Sequence, residues 1–240
     1  MPDLTVYNNI DGHSGNASSF GSTPWASTRD ATSGAAPQLS MSNSQYGSGI
    51  VQISGTILII YRSLFVFDTS GISVAPSAAS FKVYTKTRNS GDCRIVKCTH
   101  YSDASVTTAD YDAITGFSAG NSMAGNVTDY SSNVSSWASD GNVNTMTLNS
   151  TALSDMASLS LFQILVVNTT YDYLNVAPSG TVYHACGMYY SNNSGTSLDP
   201  YIEYTAGASG YAHDVNGVAT GNIGKIKALA STSIEKVIGI

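Results

Sequence analysis

Charge is scarce in this chain. Charged residues make up 11% of its 240 residues, against about 25% in an average soluble protein. Lys and Arg number ten, none lies between Ser102 and Gly221, and the formal net charge is −6. Nucleic-acid-binding proteins neutralise phosphates with a basic patch, so we expect no nucleic-acid partner. A low charge density also favours a protein that packs against copies of itself, because like charges repel.

Cysteine is rarer still. The three cysteines, Cys93, Cys98 and Cys186, are too few and odd in number for a disulfide framework. Cys93 and Cys98 are five residues apart, which on a strand places them on opposite faces. They cannot then ligate one zinc ion together, and we expect all three to be buried packing residues.

Long apolar runs and targeting signals are also missing. The opening MPDLTVYNN has neither the basic nor the apolar region of a secretory signal, so we expect none. The most apolar run, from Ile50 to Phe67, is interrupted by Gln52, Gly55 and Arg62 and is rich in β-branched residues. It predicts buried strands rather than a membrane span, and we expect no membrane partner.

Ser, Thr, Asn, Gly and Tyr take the place of charge, and they favour strands and polar loops over helices. Strands are predicted at 4–7, within 50–68 as two strands, and at 80–87, 93–101, 143–149, 160–170, 181–190 and 199–206. One helix is predicted at 150–157, where STALSDMA has a helix-start pattern. Residues 11–48 and 102–142 are expected to be loops because they are dense in Gly, Ser and Thr.

These elements predict an all-β fold, an antiparallel jelly-roll β-sandwich at 1–206 with a long loop region at 11–48. Residues 207–240 are expected to form a short C-terminal extension. Residues 61–67 carry apolar side chains on both faces, which predicts a central strand. We expect Arg62 to pair with a carboxylate such as Asp68 on the same face, since a buried charge requires a partner.

Three segments, taken in their order along the chain, resemble a known family. YRSLFVFDTSGI, APSAASFKVYT and YYSNNSGTSLDPYIEYTA are similar to the DNRLRE-type modules, which are jelly-roll domains like carbohydrate-binding modules. The matching positions are Arg62, Ser63, Phe67, Asp68, Ile72, Ala79, Val83, Tyr84, Pro200, Tyr201 and Tyr204. The resemblance spans about residues 4–205 and is structural; VTTADYDAIT only loosely matches the Trp-containing insert of that family.

The C-terminal segment carries an apolar repeat. DVNGV, GKIKAL and EKVIGI align at a spacing of about eleven residues, so that Val215, Ile226 and Val237 coincide. The repeat resembles the C-terminal ends of many virion proteins of tailed phages. A unit of this length cannot bury its own apolar side chains. We therefore predict a docking strip that is extended or turn-like rather than a right-handed coiled coil. Its residues are Val215, Val218, Ile223, Ile226, Leu229, Ile234, Val237 and Ile240. The alternative is a frayed terminus with an accidental similarity.

Candidate catalytic and metal-binding groups are few. Glu203 with Asp199 offers the two carboxylates that glycoside hydrolysis needs, but the spacing does not establish their separation, and we expect no catalytic residue and no enzyme. His184 and Cys186 are two apart on a strand, where a packed face is favoured over a pair of metal ligands. DGHSGN and SDGNVN leave a structural calcium open; otherwise we expect no cofactor and no metal site.

Tyrosines are concentrated in the last third of the chain. Tyr189, Tyr190 and Tyr201 are candidates for stacking on a glycan, and Tyr189 and Tyr190 point to opposite faces, so only one lies on any outer surface. Core packing and subunit contacts are the alternative roles. The sequence thus predicts a non-enzymatic structural protein of a tailed-phage virion, a capsid decoration or fibre-like component. Its expected partners are other virion proteins and copies of itself. The alternative is a carbohydrate-binding module or receptor-binding adhesin on the virion surface.

Overall fold

The computed structural model describes residues 4–17, 25–34, 36–38, 43–53, 57–99, 106–191, 195–208, 225–226 and 229–230. They form an antiparallel sandwich, which confirms the predicted all-β fold. The strands are β1 (Leu4–Ala17), β2 (Ala36–Gln38), β3 (Asn43–Ile53), β4 (Ile57–Asp68), β5 (Ala78–Asn89), β6 (Cys93–Lys97), β7 (Val143–Thr147), β8 (Leu161–Asn168), β9 (Val182–Tyr189), β10 (Tyr201–Thr205), β11 (Lys225–Ile226) and β12 (Leu229–Ala230). The helices are α1 (Trp25–Arg29) and α2 (Ser150–Ser158), with single turns at Thr108–Asp112 and Thr169–Tyr173. No helix in the described ranges is long and apolar enough to cross a membrane.

Strands β1 to β10 form one sheet that curls into two packed layers. The smaller layer contains the beginning of β1, then β10, β5 and β7. The larger layer contains the rest of β1 with β4, β3, β8, β6 and β9. Strands β1 and β5 each pass from one layer to the other. These two shared strands fix the position of the layers relative to each other.

Strand β4 lies in the centre of the larger layer, as its two apolar faces predict. It pairs with β1 along one edge and with β3 and then β8 along the other. Phe65 and Phe67 enter the main core between the layers, while Leu64 and Val66 lie in a second apolar cluster on the opposite face. The larger layer is therefore buried on both sides.

The loops that follow β6 and β8 cover the outer side of the larger layer. Val106, Ile114 and Met123 pack with Tyr173 in the second cluster. Tyr111 packs against β3 and β4 in a third, smaller cluster. These loops thus provide the apolar cover that a two-layer sandwich otherwise lacks on its outside.

The expectation of a loop at 11–48 is wrong for most of the described residues in that range. Strand β1 continues to Ala17, helix α1 and strand β2 follow, and β3 begins at Asn43. Asp11 of β1 is buried and accepts hydrogen bonds from the Ser191 N–H and hydroxyl at 2.8 and 3.0 Å. At Gly15, a Cβ atom would lie 3.1 Å from the Tyr61 ring, so a small residue is favoured there.

The expected Arg62–Asp68 pair is also wrong. Both residues face the same side of β4, but six residues of strand separate them by about 20 Å. Arg62 instead donates two hydrogen bonds of 2.8 Å to Asp172, and both side chains are fully buried. Asp68 is exposed at the end of β4 and accepts hydrogen bonds from Ser70.

The helix and cysteine predictions are confirmed. Helix α2 begins after Asn149, whose side chain caps it by accepting a 3.0 Å hydrogen bond from the Ala152 N–H. The three cysteines are free and buried. Cys93 lies in the main core and Cys98 in the second cluster, on opposite faces of the larger layer as their spacing predicts.

Candidate functional site

The outer face of the smaller layer carries a row of polar and aromatic side chains. Strand register aligns Tyr7 of β1 with Tyr201 of β10, Tyr201 with Lys82 of β5, and Lys82 with Thr145 of β7. Neighbouring strands lie about 4.8 Å apart, so this row crosses about 14 Å of sheet.

Tyr7 and Tyr201 form the aromatic end of this row. Their ring centroids are 5.9 Å apart with an interplanar angle of 46°, and Tyr7 is 56% exposed. Tyr201 is half-buried, and this burial raises the pKa of its hydroxyl. The two rings therefore offer apolar faces beside hydrogen-bonding hydroxyl groups.

An ion pair borders the tyrosines. Lys82 Nζ donates to Glu203 Oε2 at 2.6 Å and lies 5.9 Å from the centroid of the Tyr201 ring. Both side chains are partly exposed, so the pair contributes little to stability. Its effect is to hold a cation and a carboxylate next to the aromatic ring, where they provide donors and acceptors at fixed positions.

The row extends along β5. Lys82, Tyr84 and Lys86 alternate on the outer face, as the sequence predicts, while Phe81 and Val83 enter the core. Lys86 Nζ lies 5.4 Å from the centroid of the Tyr189 ring. The Tyr189 hydroxyl donates to Asp140 at 3.2 Å. We call this surface, made of Tyr7, Lys82, Tyr84, Lys86, Tyr189, Tyr201 and Glu203, the aromatic face.

The three tyrosines proposed from the sequence for glycan stacking have different positions. Tyr201 and Tyr189 belong to the aromatic face. Tyr190 does not, because it is 0% exposed and lies in the main core. Its hydroxyl is 2.8 Å from the Ser63 hydroxyl, and burial raises its pKa. Tyr190 is a packing residue, in agreement with the alternative role that the sequence allows.

Tyr7 is the residue of this face that sequence analysis missed. It ends a short apolar-polar alternation and has no motif around it. Only the pairing of β1 with β10 brings it next to Tyr201, across 194 positions of sequence. The only sequence signal for Tyr7 is its alternation with Val6 and Thr5, which indicates a strand with one outward face.

The candidate catalytic and metal residues lie in separate places. Glu203 is paired with Lys82, whereas Asp199 precedes β10, and burial raises its pKa. His184 Nδ1 is 2.9 Å from Asn168 Nδ2 and 3.6 Å from Asp92, while Cys186 lies in the main core. Across the described ranges, no three His, Cys, Asp or Glu side chains are grouped closely enough to hold a metal ion.

The docking strip is largely outside the described residues. Ile226 belongs to β11 and Leu229 to β12, and these two residues are backbone partners in a two-stranded antiparallel pair. The other residues of the strip lie outside the described residues: Val215, Val218, Ile223, Ile234, Val237 and Ile240. The last strand of the sandwich, β10, ends at Thr205, one residue before the expected boundary of the C-terminal extension.

No protein-family model matches this chain, and no curated protein matches it.

Proposed function

We propose that this chain is a non-enzymatic structural protein of a tailed-phage virion, a capsid decoration or fibre-like component that docks through its C-terminal segment. The observation that carries this proposal is the apolar repeat at Val215, Ile226 and Val237. It begins after β10, the strand that completes the smaller layer. Apolar side chains in such a short segment need a partner surface to leave water.

The charge distribution of the sandwich supports a structural role. Arg29, Arg62 and Asp172 are fully buried and hold the covering loops together. Lys82, Arg94 and Lys97 each lie within 3.3 Å of a carboxylate oxygen. Pairing of these cations with carboxylates lowers the local repulsion between copies that pack side by side.

Deletion of residues 211–240 tests the docking role. We expect the truncated chain to be absent from particles while the full chain is incorporated. A matched pair separates apolar docking from charge: Val215, Ile226 and Val237 are replaced by Ser in one variant, and Lys225, Lys227 and Lys236 by Gln in the other. The Ser variant should be excluded and the Gln variant retained; normal incorporation of the truncated chain would disprove the docking role.

Glycan binding is a second candidate function, favoured by the aromatic face. Two adjacent tyrosine rings and a fixed Lys82–Glu203 pair provide the apolar and hydrogen-bonding groups that a sugar ring requires. The resemblance to DNRLRE-type modules points in the same direction. In this role the chain would be an adhesin on the virion surface.

A glycan array with the full chain tests this second function. If a glycan binds, we expect the Tyr7→Ala and Tyr201→Ala variants each to bind roughly fivefold more weakly, since a stacked ring contributes about 1 kcal/mol. Tyr183→Ala is the matched control, because Tyr183 is 47% exposed and lies outside the aromatic face. Equal losses in all three variants, or no binding to any glycan, would remove this function.

A further inference from the structure

Two of the three cysteines lie together in the main core. Cys93 begins β6 and Cys186 lies in β9, and both side chains are 0% exposed. Their thiols are hydrogen-bonded to each other. The Cys93 thiol also donates to the Ser48 carbonyl at 3.8 Å, and Ser48 is the strand partner of Cys186. The fold thus brings two sulfur atoms into contact that are far apart in the sequence.

The backbone holds both cysteines from two sides. Cys93 pairs with Asn168 of β8, and on its other side it exchanges two backbone hydrogen bonds of 2.8 and 3.1 Å with Val134. Cys186 is paired with β3 on one side and with β5 on the other. Two thiols that fixed strands hold in contact have a high effective concentration for each other, which favours a disulfide over two separate thiols.

The connection between β5 and β6 keeps these strands close to β9. Ser90 forms a bridge with Ala185, the residue before Cys186. At Gly91, a Cβ atom would lie 2.4 Å from the carbonyl carbon of Ala185 and 2.8 Å from the backbone nitrogen of Cys186. A side chain there would collide with β9, so glycine permits this close approach. Cys93 follows two residues later, and backbone packing therefore sets its position beside Cys186.

The third cysteine cannot join this pair while the larger layer is folded. Cys98 lies about 16 Å further along the chain than Cys93 and belongs to the second cluster, on the opposite face of the layer. A disulfide requires Cα atoms within about 7 Å of each other and side chains that point towards each other. The fold therefore selects one pair from the three that are possible.

We propose that Cys93 and Cys186 form a disulfide when the chain folds in the presence of a small-molecule disulfide such as oxidised glutathione. One cysteine thiolate attacks a sulfur atom of this disulfide, whose S–S bond breaks and releases one glutathione thiolate. The second cysteine thiolate then displaces the other glutathione and forms the S–S bond of the protein. The two cysteines lose two protons and two electrons, and the glutathione disulfide is reduced to two thiols. The product joins β6, an outer strand of the larger layer, to β9.

The bond forms during folding rather than afterwards. Both thiols are inaccessible in the folded chain, and burial raises the pKa of the Cys93 thiol well above its usual range. The thiolate is the attacking species, so the folded protein reacts slowly with a disulfide. In the folding chain, solvent still reaches both sulfur atoms.

Refolding of the full chain in a glutathione buffer tests the inference. The reduced chain is unfolded in urea, diluted into buffer that contains oxidised and reduced glutathione, quenched with iodoacetamide and mapped by mass spectrometry. We expect peptides joined through Cys93 and Cys186, lighter by about 2 Da than the two thiol peptides together, and an alkylated Cys98. This pair should exceed either pairing with Cys98 by about tenfold. In the control sample kept in urea, the short loop should instead favour the pairing of Cys93 with Cys98.

Two results would overturn the inference: pairing of Cys98 that equals or exceeds the Cys93–Cys186 pair after refolding, or three alkylated cysteines. Urea unfolding provides a second measurement, because a bond that closes a loop of about 90 residues lowers the entropy of the unfolded chain. The oxidised protein should unfold at a higher urea concentration than the same sample treated with a reductant. An equal or lower midpoint would show that the bond distorts the core, in contradiction to the proposed pairing.

Discussion

Acidification should destabilise this protein through His13. His13 is 2% exposed in β1, with the edge of its ring against Tyr61 at a centroid distance of 5.3 Å. Its Nδ1 is 3.5 Å from the Tyr190 hydroxyl. Burial lowers the pKa of His13 from 6.5 to about 4, because the charged imidazolium is poorly solvated there. The folded protein therefore holds His13 neutral at a pH where the unfolded chain binds a proton.

The sign and size of the effect follow from linkage. Above pH 6.5, His13 is neutral in both the folded and the unfolded chain, and it does not lower the free energy of unfolding. As the pH falls towards 4, the unfolded chain binds a proton that the folded protein does not, and the free energy of unfolding decreases progressively. The complete loss is about 3 kcal/mol, and about 2 kcal/mol of it falls between pH 7 and pH 5. This is a large part of the 5–15 kcal/mol or so that typically stabilises a folded protein.

Urea unfolding at pH 7, 6 and 5, followed by the fluorescence of buried Trp137, measures this loss. A His13→Gln variant should show a pH dependence that is smaller than that of the unmodified chain by about 2 kcal/mol over this range. His184→Gln is the matched control: His184 is half-buried, and Asp92 opposes the effect of burial on its pKa, so a smaller change is expected. If the free energy of unfolding falls by the same amount in the unmodified chain and in His13→Gln from pH 7 to pH 5, His13 is not held neutral by the fold.

Three further predictions concern the packing of the sandwich. Asp172→Asn should lower the free energy of unfolding by about 3–5 kcal/mol, because it leaves the buried Arg62 without its counter-ion; a loss below about 1 kcal/mol in urea unfolding would contradict this. Asn149→Ala should lower the free energy of unfolding by about 1 kcal/mol, because it removes the cap of α2. Asn149→Asp retains a capping oxygen and should cause a smaller loss. The three buried cysteines should not react with Ellman's reagent in the folded protein and should all react in urea; rapid labelling of the folded protein would show an exposed thiol.

Local patterns in the sequence predict much of this fold. The alternation in β5 and the two apolar faces of β4 are both predicted from the sequence, because side chains on a strand alternate between its faces. Helix α2 is also predicted, from the helix-start pattern in STALSDMA, although Asn149, the residue before this pattern, provides the cap. These elements depend on residues close together in the chain.

Features that depend on distant residues are not predictable in this way. Residues Asp11 to Ala17 look like a loop because their composition is polar and rich in Gly, and only their pairing with β4 makes them a strand. The partner of Arg62 is 110 residues away, so no local rule identifies it. Likewise, Tyr189 and Tyr190 alternate as predicted, but the sequence does not show which of them the other layer covers.

The buried Arg62–Asp172 pair stabilises the fold, and it also determines which layer of the sandwich is covered. Arg62 also donates to the carbonyls of Tyr111 and Arg29, at 2.6 and 3.1 Å, so one guanidinium joins β4 to three covering segments. These segments bury the outer side of the larger layer, including Leu64. The smaller layer keeps an outer face on which Tyr7 is exposed. Loss of the pair would uncover apolar side chains on the opposite side, so we expect Asp172→Asn to aggregate through the larger layer while the aromatic face stays intact.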